Sequence, residues 1–117
     1  MGDRLLLGID VGTTSIKVAV IDENAKLIGL SSSSYRMITP NQDYAQIDSA
    51  DMWMSFVKCV RLLVDGKKID LSKIAGISIS SLCPGLVAMD ENGEVLVDPI
   101  IYSDRRRSFK RTGGKGA

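Results

Sequence analysis

Trp53, Phe56, Val57, Val60, Leu63 and Val64 recur at three- and four-residue steps, and this apolar stripe marks one long helix. Its ends are punctuated. Asp48 or Ser49 can cap it, Asp51 suits the positive end of the helix dipole, and Gly66 supplies a stop. The helix lies between two short apolar runs, Leu5-Leu6-Leu7-Gly8-Ile9-Asp10 and Ile74-Ala75-Gly76-Ile77-Ser78-Ile79, each reading as a strand buried on both faces. Two such strands joined by a long helix pair in parallel within one sheet. That single inference excludes all-helical and purely antiparallel folds.

The remaining segments extend the sheet. Val11-Gly12-Thr13-Thr14-Ser15 breaks the first strand with a turn, and Ile16 to Ile21, rich in branched residues, reads as the return strand. A second turn at Asp22-Glu23-Asn24-Ala25-Lys26 leads into a third strand from Leu27 to Arg36, completing a meander. Residues Thr39 to Ile47 read as a loop. Leu86 to Met89 and Glu94 to Ile101 form a hairpin around Asp90-Glu91-Asn92-Gly93, because Asn-Gly favours tight turns. No internal repeat is visible.

A chain of 117 residues is long enough for one ordinary domain with a buried core. A net charge of +1 makes no case for a nucleic-acid or membrane partner, and no apolar run approaches the ~20 residues of a membrane span. Cys59 and Cys83 do not make a disulfide framework and fit a reducing compartment, so a cytoplasmic protein is expected. One asymmetry stands out. Arg105, Arg106, Arg107, Lys110, Arg111 and Lys115 crowd the C-terminal stretch, where residues 109–117 read as a loosely held basic, glycine-rich tail.

The chemistry is concentrated in Gly8-Ile9-Asp10-Val11-Gly12-Thr13-Thr14-Ser15. An acid ending a buried strand is costly unless something polar or cationic meets it. Gly12 allows positive φ and a close approach of a ligand to the backbone. Thr13, Thr14 and Ser15 offer hydroxyls and amides in a tight turn, a concave set of donors for phosphate oxygens. Asp10 could reach Mg²⁺ directly or through water, and Lys17 could add a point charge. A plain hairpin whose Asp, Gly and Thr serve only the turn explains the same residues. No Gly-Lys-Ser/Thr follows and a strand comes next, so this is not a Walker-type loop.

The order of motifs favours the phosphate reading. Gly8 to Ser15 followed by a strand with Lys17 resembles the first phosphate loop of the actin/Hsp70/sugar-kinase superfamily. Within it the chain is similar to the FGGY carbohydrate kinases. The shared order continues with Gln46-Ile47-Asp48 leading into the helix with Trp53, then Ile74 to Ile79, the Asp90–Gly93 hairpin, and Tyr102-Ser103-Asp104-Arg105-Arg106. The resemblance covers residues 5 to about 108. It implies an α/β, ribonuclease H-like mixed sheet of the actin-like ATPase type, incomplete here, with the three-strand meander, crossover helix, parallel strand and hairpin. Residues 1–108 would then be the N-terminal part of the first kinase domain.

The resemblance also implies site residues. Asp10 would belong to the Mg²⁺-nucleotide site, and Gly12, Thr13, Thr14, Ser15 and Lys17 to the phosphates of ATP. The family's sugar-contacting pair falls where this chain has Cys83-Pro84, a departure, since xylulose kinases have Met-His there and glycerol kinases Arg-Glu. Proline has no side-chain donor and a thiol only a weak one, so Cys83 reads more simply as a small buried hydrophobe. Tyr102 replaces the usual tryptophan wall of the sugar site, and Asp104 and Arg106 match the rest of that motif; an ion-paired loop explains them equally. The family's catalytic base would lie beyond residue 117, so the chain alone is expected to be catalytically incomplete. Its partner is expected to be a sugar or polyol. Ile77, Ile79 and Val87 are expected to lie bare without further helices, which favours a homo-oligomer. Two other readings remain: a non-catalytic nucleotide-binding member of the superfamily, and a nucleic-acid module using Arg105 to Lys115.

Overall fold

The computed structural model describes residues 3–101 and 103–105. In chain order the elements are β1 (Leu5–Val11), β2 (Ser15–Asp22), β3 (Leu27–Ser34), β4 (Met37–Ile38), β5 (Gln46–Ile47), α1 (Ser49–Lys67), β6 (Ile74–Ser81), β7 (Gly85–Met89) and β8 (Val95–Ile101). A short 3-10 turn at Leu71–Lys73 precedes β6. The strands form two four-stranded sheets, ordered β3-β2-β1-β6 and β4-β5-β8-β7.

In the first sheet β1, β2 and β3 are the antiparallel meander, and β6 joins β1 in parallel, with Leu7 beside Ile77 and Asp10 beside Ser80. The strand–helix–strand inference therefore holds. Alternate residues of β1 and β2, namely Leu7, Ile9, Ile16, Val18 and Val20, are buried toward α1 and build the core with Cys59 and Leu63 of the helix. Small residues let helix and sheet lock together. Ser55 Oγ donates to the Ser34 carbonyl at 3.0 Å, and Ser31 Oγ donates to the Cys59 carbonyl at 3.0 Å.

The helix differs from its sequence reading in two ways. Its buried face runs through Ser55, Cys59 and Leu63, and Trp53 is 62% exposed, tilted against Phe56 at a ring separation of 5.4 Å. The period was legible but not its phase, because the small Ser55 and Cys59 take the closest approach to β2 and β3. The helix also runs through Gly66 to Lys67, and Lys68 takes the left-handed conformation (φ 52°) that ends it. Ile69 then tucks into the core, a hydrophobic contact typical of helix ends. At the other end Asp48 is the cap, accepting from the Asp51 amide at 2.9 Å.

β1 and β6 both correct the expectation of a strand buried on both faces, since β1 is buried only at Leu7 and Ile9 and its Leu6 is exposed. Ile77 and Ile79 share the face of Leu7 and Ile9, yet they are 62% and 65% exposed, because α1 lies over β2 and β3 rather than over this edge. Val87 is exposed as well. These three apolar residues lie bare, as their sequence setting suggested.

The second sheet contains the expected hairpin, β7 antiparallel to β8, and two strands within and beside the stretch read as loop. β5 pairs with β8 at Gln46–Ile100, and Ile47 is fully buried. Asp98 of β8 accepts from both the amide and the hydroxyl of Ser49 (3.0 and 2.9 Å), tying this sheet to the first turn of α1. The two turns with Asp-Glu-Asn are built alike. Asp22 and Asp90 each accept two amides on one carboxylate oxygen, and Ala25 (φ 62°) and Gly93 (φ 81°) take the left-handed position. The expected tail at residues 109–117 and its boundary lie outside the described residues.

Candidate phosphate-binding site

The turn joining β1 to β2 has Thr13 and Thr14 at its corner. The Gly12 amide donates to the Ser15 carbonyl at 2.9 Å, closing the hairpin, while Val11 and Ile16 remain paired below it. Gly12 is not at positive φ, contrary to one of its two sequence explanations; among the described glycines only Gly93 is. Its other explanation, close approach, is what the geometry shows. A Cβ at Gly12 would sit 3.0 Å from the Ser15 carbonyl oxygen.

Register places four polar residues in one row across the sheet: Ser32 of β3, Lys17 of β2, Asp10 of β1 and Ser80 of β6. Residues paired in register project to one face, and this is the face opposite α1. Asp10 and Lys17 are both exposed, so the cost of burying a strand-end carboxylate does not arise. Lys17 Nζ reaches Ser15 Oγ at 3.5 Å, linking the row to the turn. Gly8, Asp10, Lys17, Ser78 and Ser80 help to line an open cleft of about 360 Å³ below the turn. The absence of a side chain at Gly8 leaves the cleft floor open, with no atom within 4 Å of where a Cβ would stand.

Asp10, Gly12, Thr13, Thr14, Ser15 and Lys17 thus come together as one hairpin. β1 and β6 are parallel, so they end at the same edge of the sheet, where open α/β sheets bind ligands. The Leu82 amide donates to the Val11 carbonyl at 2.8 Å, which brings Cys83-Pro84 out of the sheet next to the turn. Cys83 is exposed, so it is not the small buried hydrophobe expected of it; Cys59 is the buried thiol. Gly85 pairs with Ile101, so the segment after β8 leaves from the same side. There Asp104 Oδ2 accepts from the Ala45 amide at 2.8 Å, pinning the chain before β5. Tyr102 and Arg106 lie outside the described residues.

The sequence reading missed Tyr35. It follows β3, is 7% exposed, and its amide donates to the Thr14 carbonyl at 3.2 Å. Its hydroxyl lies against the carbonyls of Gly12 and Ser15, 2.9 Å from the latter. Burial first, and the nearby Asp10 charge second, push the Tyr35 hydroxyl above its ordinary pKa of 10.0. It therefore keeps its proton and acts as a donor at neutral pH.

A divalent cation carried in with a nucleotide fits this donor set. Among the described residues no group of three or more His, Cys, Asp or Glu side chains gathers into a protein-made metal cage. Mg²⁺ does not need one, since it keeps several waters and takes one or two carboxylates plus phosphate oxygens. Asp10 supplies an accessible carboxylate at the mouth of the turn.

Comparison with known proteins identifies the family. Residues 5–110 match the model of the FGGY family of carbohydrate kinases, N-terminal domain. A xylulose kinase of Staphylococcus epidermidis is 29% identical over 110 residues, covering 94% of this chain and 22% of that protein. A glycerol kinase of Agrobacterium fabrum is 31% identical over 102 residues, covering 86% and 20%. The crystal structure of a gluconate kinase from Lactobacillus acidophilus superposes with a TM-score of 0.82 at 28% identity, covering 96% of this chain and 22% of that one. The chain spans about a fifth of the length of the curated relatives it matches. The architecture is that of the actin-like ATPase fold. With its hairpin, crossover helix and parallel strand in that order, the chain belongs to the FGGY family of carbohydrate kinases, matching their N-terminal domain.

Proposed function

We propose that this chain forms the phosphate-binding wall of an ATP-dependent kinase that phosphorylates a hydroxyl of a sugar or polyol. The observation that carries this is the polar row Ser32–Lys17–Asp10–Ser80 running up to the Gly12–Ser15 turn at the carboxyl ends of two parallel strands. In the reaction the acceptor hydroxyl loses its proton and bonds to the terminal phosphorus of ATP. The bond from that phosphorus to the bridging oxygen breaks, and ADP leaves. Catalysis of this kind rests on positioning and on electrostatic balance. The amides of Thr13 and Thr14 do not donate in the turn's own closing bonds, so they suit phosphate oxygens, and Lys17 adds positive charge. Mg²⁺, when bound, neutralises charge on the phosphates, and Asp10 would hold its water shell.

Cys83-Pro84, Tyr102, Asp104 and Arg106 belong to the acceptor side of this reading. Neither Cys83 nor Pro84 has a strong hydrogen-bonding side chain, so the polyol would be read there by shape and backbone. No residue of this chain is assigned as the base, and the chain alone is proposed to be inactive. Ile77, Ile79 and Val87 would be covered by another copy or by further protein.

Asp10→Asn in the complete protein tests the reading. It keeps the side-chain shape and removes the charge, and Asp10 is exposed, so the fold should be unaffected. Turnover is expected to fall by about 10²- to 10³-fold, the cost of one electrostatic contact to the reacting charge. Parental turnover in a coupled ADP-release assay would refute it.

A further inference from the structure

Tyr35 is joined to the turn by backbone as well as by side chain, and the residue after it is held just as firmly. The Arg36 amide donates to Asp51 Oδ2 at 2.8 Å, and the Arg36 guanidinium meets Asp48 at 3.0 Å. Those two aspartates are the cap and first turn of α1. Ser34, one residue earlier, pairs with Ser15 and accepts from Ser55 of the same helix through its carbonyl. The tyrosine thus stands on a rigid support, and its ring is buried. The hydroxyl has one proton, yet it touches two carbonyls of the turn, Gly12 and Ser15. Sharing that proton draws the two carbonyls to one point on the inner side of the turn. A trans peptide holds its carbonyl and its N–H on opposite sides, so drawing the Gly12 carbonyl inward turns the Thr13 amide outward, while the hold on Ser15 fixes the other end of the turn.

We propose that Tyr35 is a positioning residue for the phosphate turn, its hydroxyl holding the Gly12 and Ser15 carbonyls so that the Thr13–Thr14 corner keeps a donor-presenting shape. The inference rests on the nucleotide reading above and adds a specific part to it. It also links the site to the first turn of α1. The path runs from Asp48 and Asp51 through Arg36 to Tyr35 and the turn, with a hydrogen bond or ion pair at each non-covalent step. Burial raises the Tyr35 hydroxyl above its ordinary pKa, so the proton that makes the clamp is in place at neutral pH.

The test compares Tyr35→Phe and Tyr35→Ala in the complete protein. Three measurements are made: calorimetric binding of MgATP, amide exchange at residues 13–15, and exchange at the buried core of β1 and β2. Phenylalanine keeps the ring and removes only the hydroxyl. The expected result is about five- to tenfold weaker MgATP binding, with exchange at 13–15 faster by a similar factor, the scale of one lost hydrogen bond. Core exchange in Tyr35→Phe should remain parental. A residue that acts only by packing gives a different pattern: Phe equal to Tyr, with Ala alone defective. That pattern would overturn the proposal while leaving the nucleotide reading intact. If the parent protein itself failed to bind MgATP, the nucleotide reading would fall and this inference with it. Faster exchange at 13–15 with unchanged MgATP binding would also overturn it, since the turn's shape would then not matter to phosphate.

Discussion

Gly12→Ala tests how tightly the turn between β1 and β2 is drawn. The new methyl would stand 3.0 Å from the Ser15 carbonyl oxygen, a few tenths of an ångström inside ordinary contact. That oxygen is not free to retreat. It already accepts from the Gly12 amide and the Tyr35 hydroxyl, each at 2.9 Å. Moving it away by ~0.4 Å would stretch both bonds beyond the usual range, so most of one to two hydrogen bonds is lost, about 1–2 kcal/mol. The unfolded chain loses freedom on gaining a Cβ, which returns about 0.4–1 kcal/mol. The net expectation is a destabilisation of about 1 kcal/mol, or roughly 4 °C in a domain of this size. Gly8→Ala is the internal control. It has no atom within 4 Å of the new Cβ and no positive φ, so only the entropic gain applies, and stability should hold or rise. Urea unfolding of the two variants beside the parent, with m checked for constancy, measures the difference. If Gly12→Ala proved as stable as Gly8→Ala, the drawn-in turn would be wrong, and with it the account of why glycine stands there.

Three further outcomes are expected. Asp48→Ala removes the cap of α1 and the exposed ion pair to Arg36, and should lower stability by about 1–2 kcal/mol in the same urea assay, nearly all of it from the cap. Ala25→Gly relieves the left-handed strain that Gly93 avoids in the matching turn; after the flexibility of glycine is offset, thermal unfolding should show a gain of about 0.5–1 kcal/mol. Below pH 10.0 Tyr35 is protonated whether folded or unfolded, but above it the unfolded chain releases the proton while the folded protein holds it, so stability falls as pH rises toward the raised folded value. Tyr35→Phe lacks this share, and its urea midpoint should fall less steeply on the alkaline side.

The parts legible in the sequence are those whose signal is local and periodic. The meander shows in its branched residues and turns, the helix in its stripe and its Asp48 cap, and the parallel strand in the length of the crossover. The β1–β2 turn was legible as a turn, and Asp10, Thr13, Thr14, Ser15 and Lys17 do share one hairpin. What could not be read depends on contacts between distant segments. Ile47 is a lone branched residue in a polar stretch, and only its pairing with Met37, and that of its neighbour Gln46 with Ile38 and Ile100, reveals a strand. Trp53 looks like core by size, but the closest face of a helix is set by small residues such as Ser55 and Cys59. Tyr35 follows four serines and resembles a strand-end aromatic; its hydroxyl finds the turn 20 residues back only once β2 and β3 have paired. An aromatic with a polar tip, next to a strand that pairs with the one leaving the Gly12–Ser15 turn, is the one available signal.

The parallel pairing of β1 with β6 has a consequence for the order of assembly. The β1–β2 turn closes between neighbours in sequence, whereas Asp10 meets Ser80 only by closing a loop of roughly 70 residues. Each doubling of loop length costs about 0.6 kcal/mol, so the later pairing starts with a deficit of about 2.5 kcal/mol relative to the hairpin. As the chain leaves the ribosome from its N-terminus, the meander can form while the strand bearing Ser80 and the loop bearing Cys83 have yet to be made. The turn with Thr13 and Thr14 is thus a local structure, and its meeting with Ser80 and Cys83 is a long-range one. Slower synthesis between Asp48 and Ile74 would extend the life of a species with a finished turn and an unpaired β1 edge, the form most exposed to mispairing.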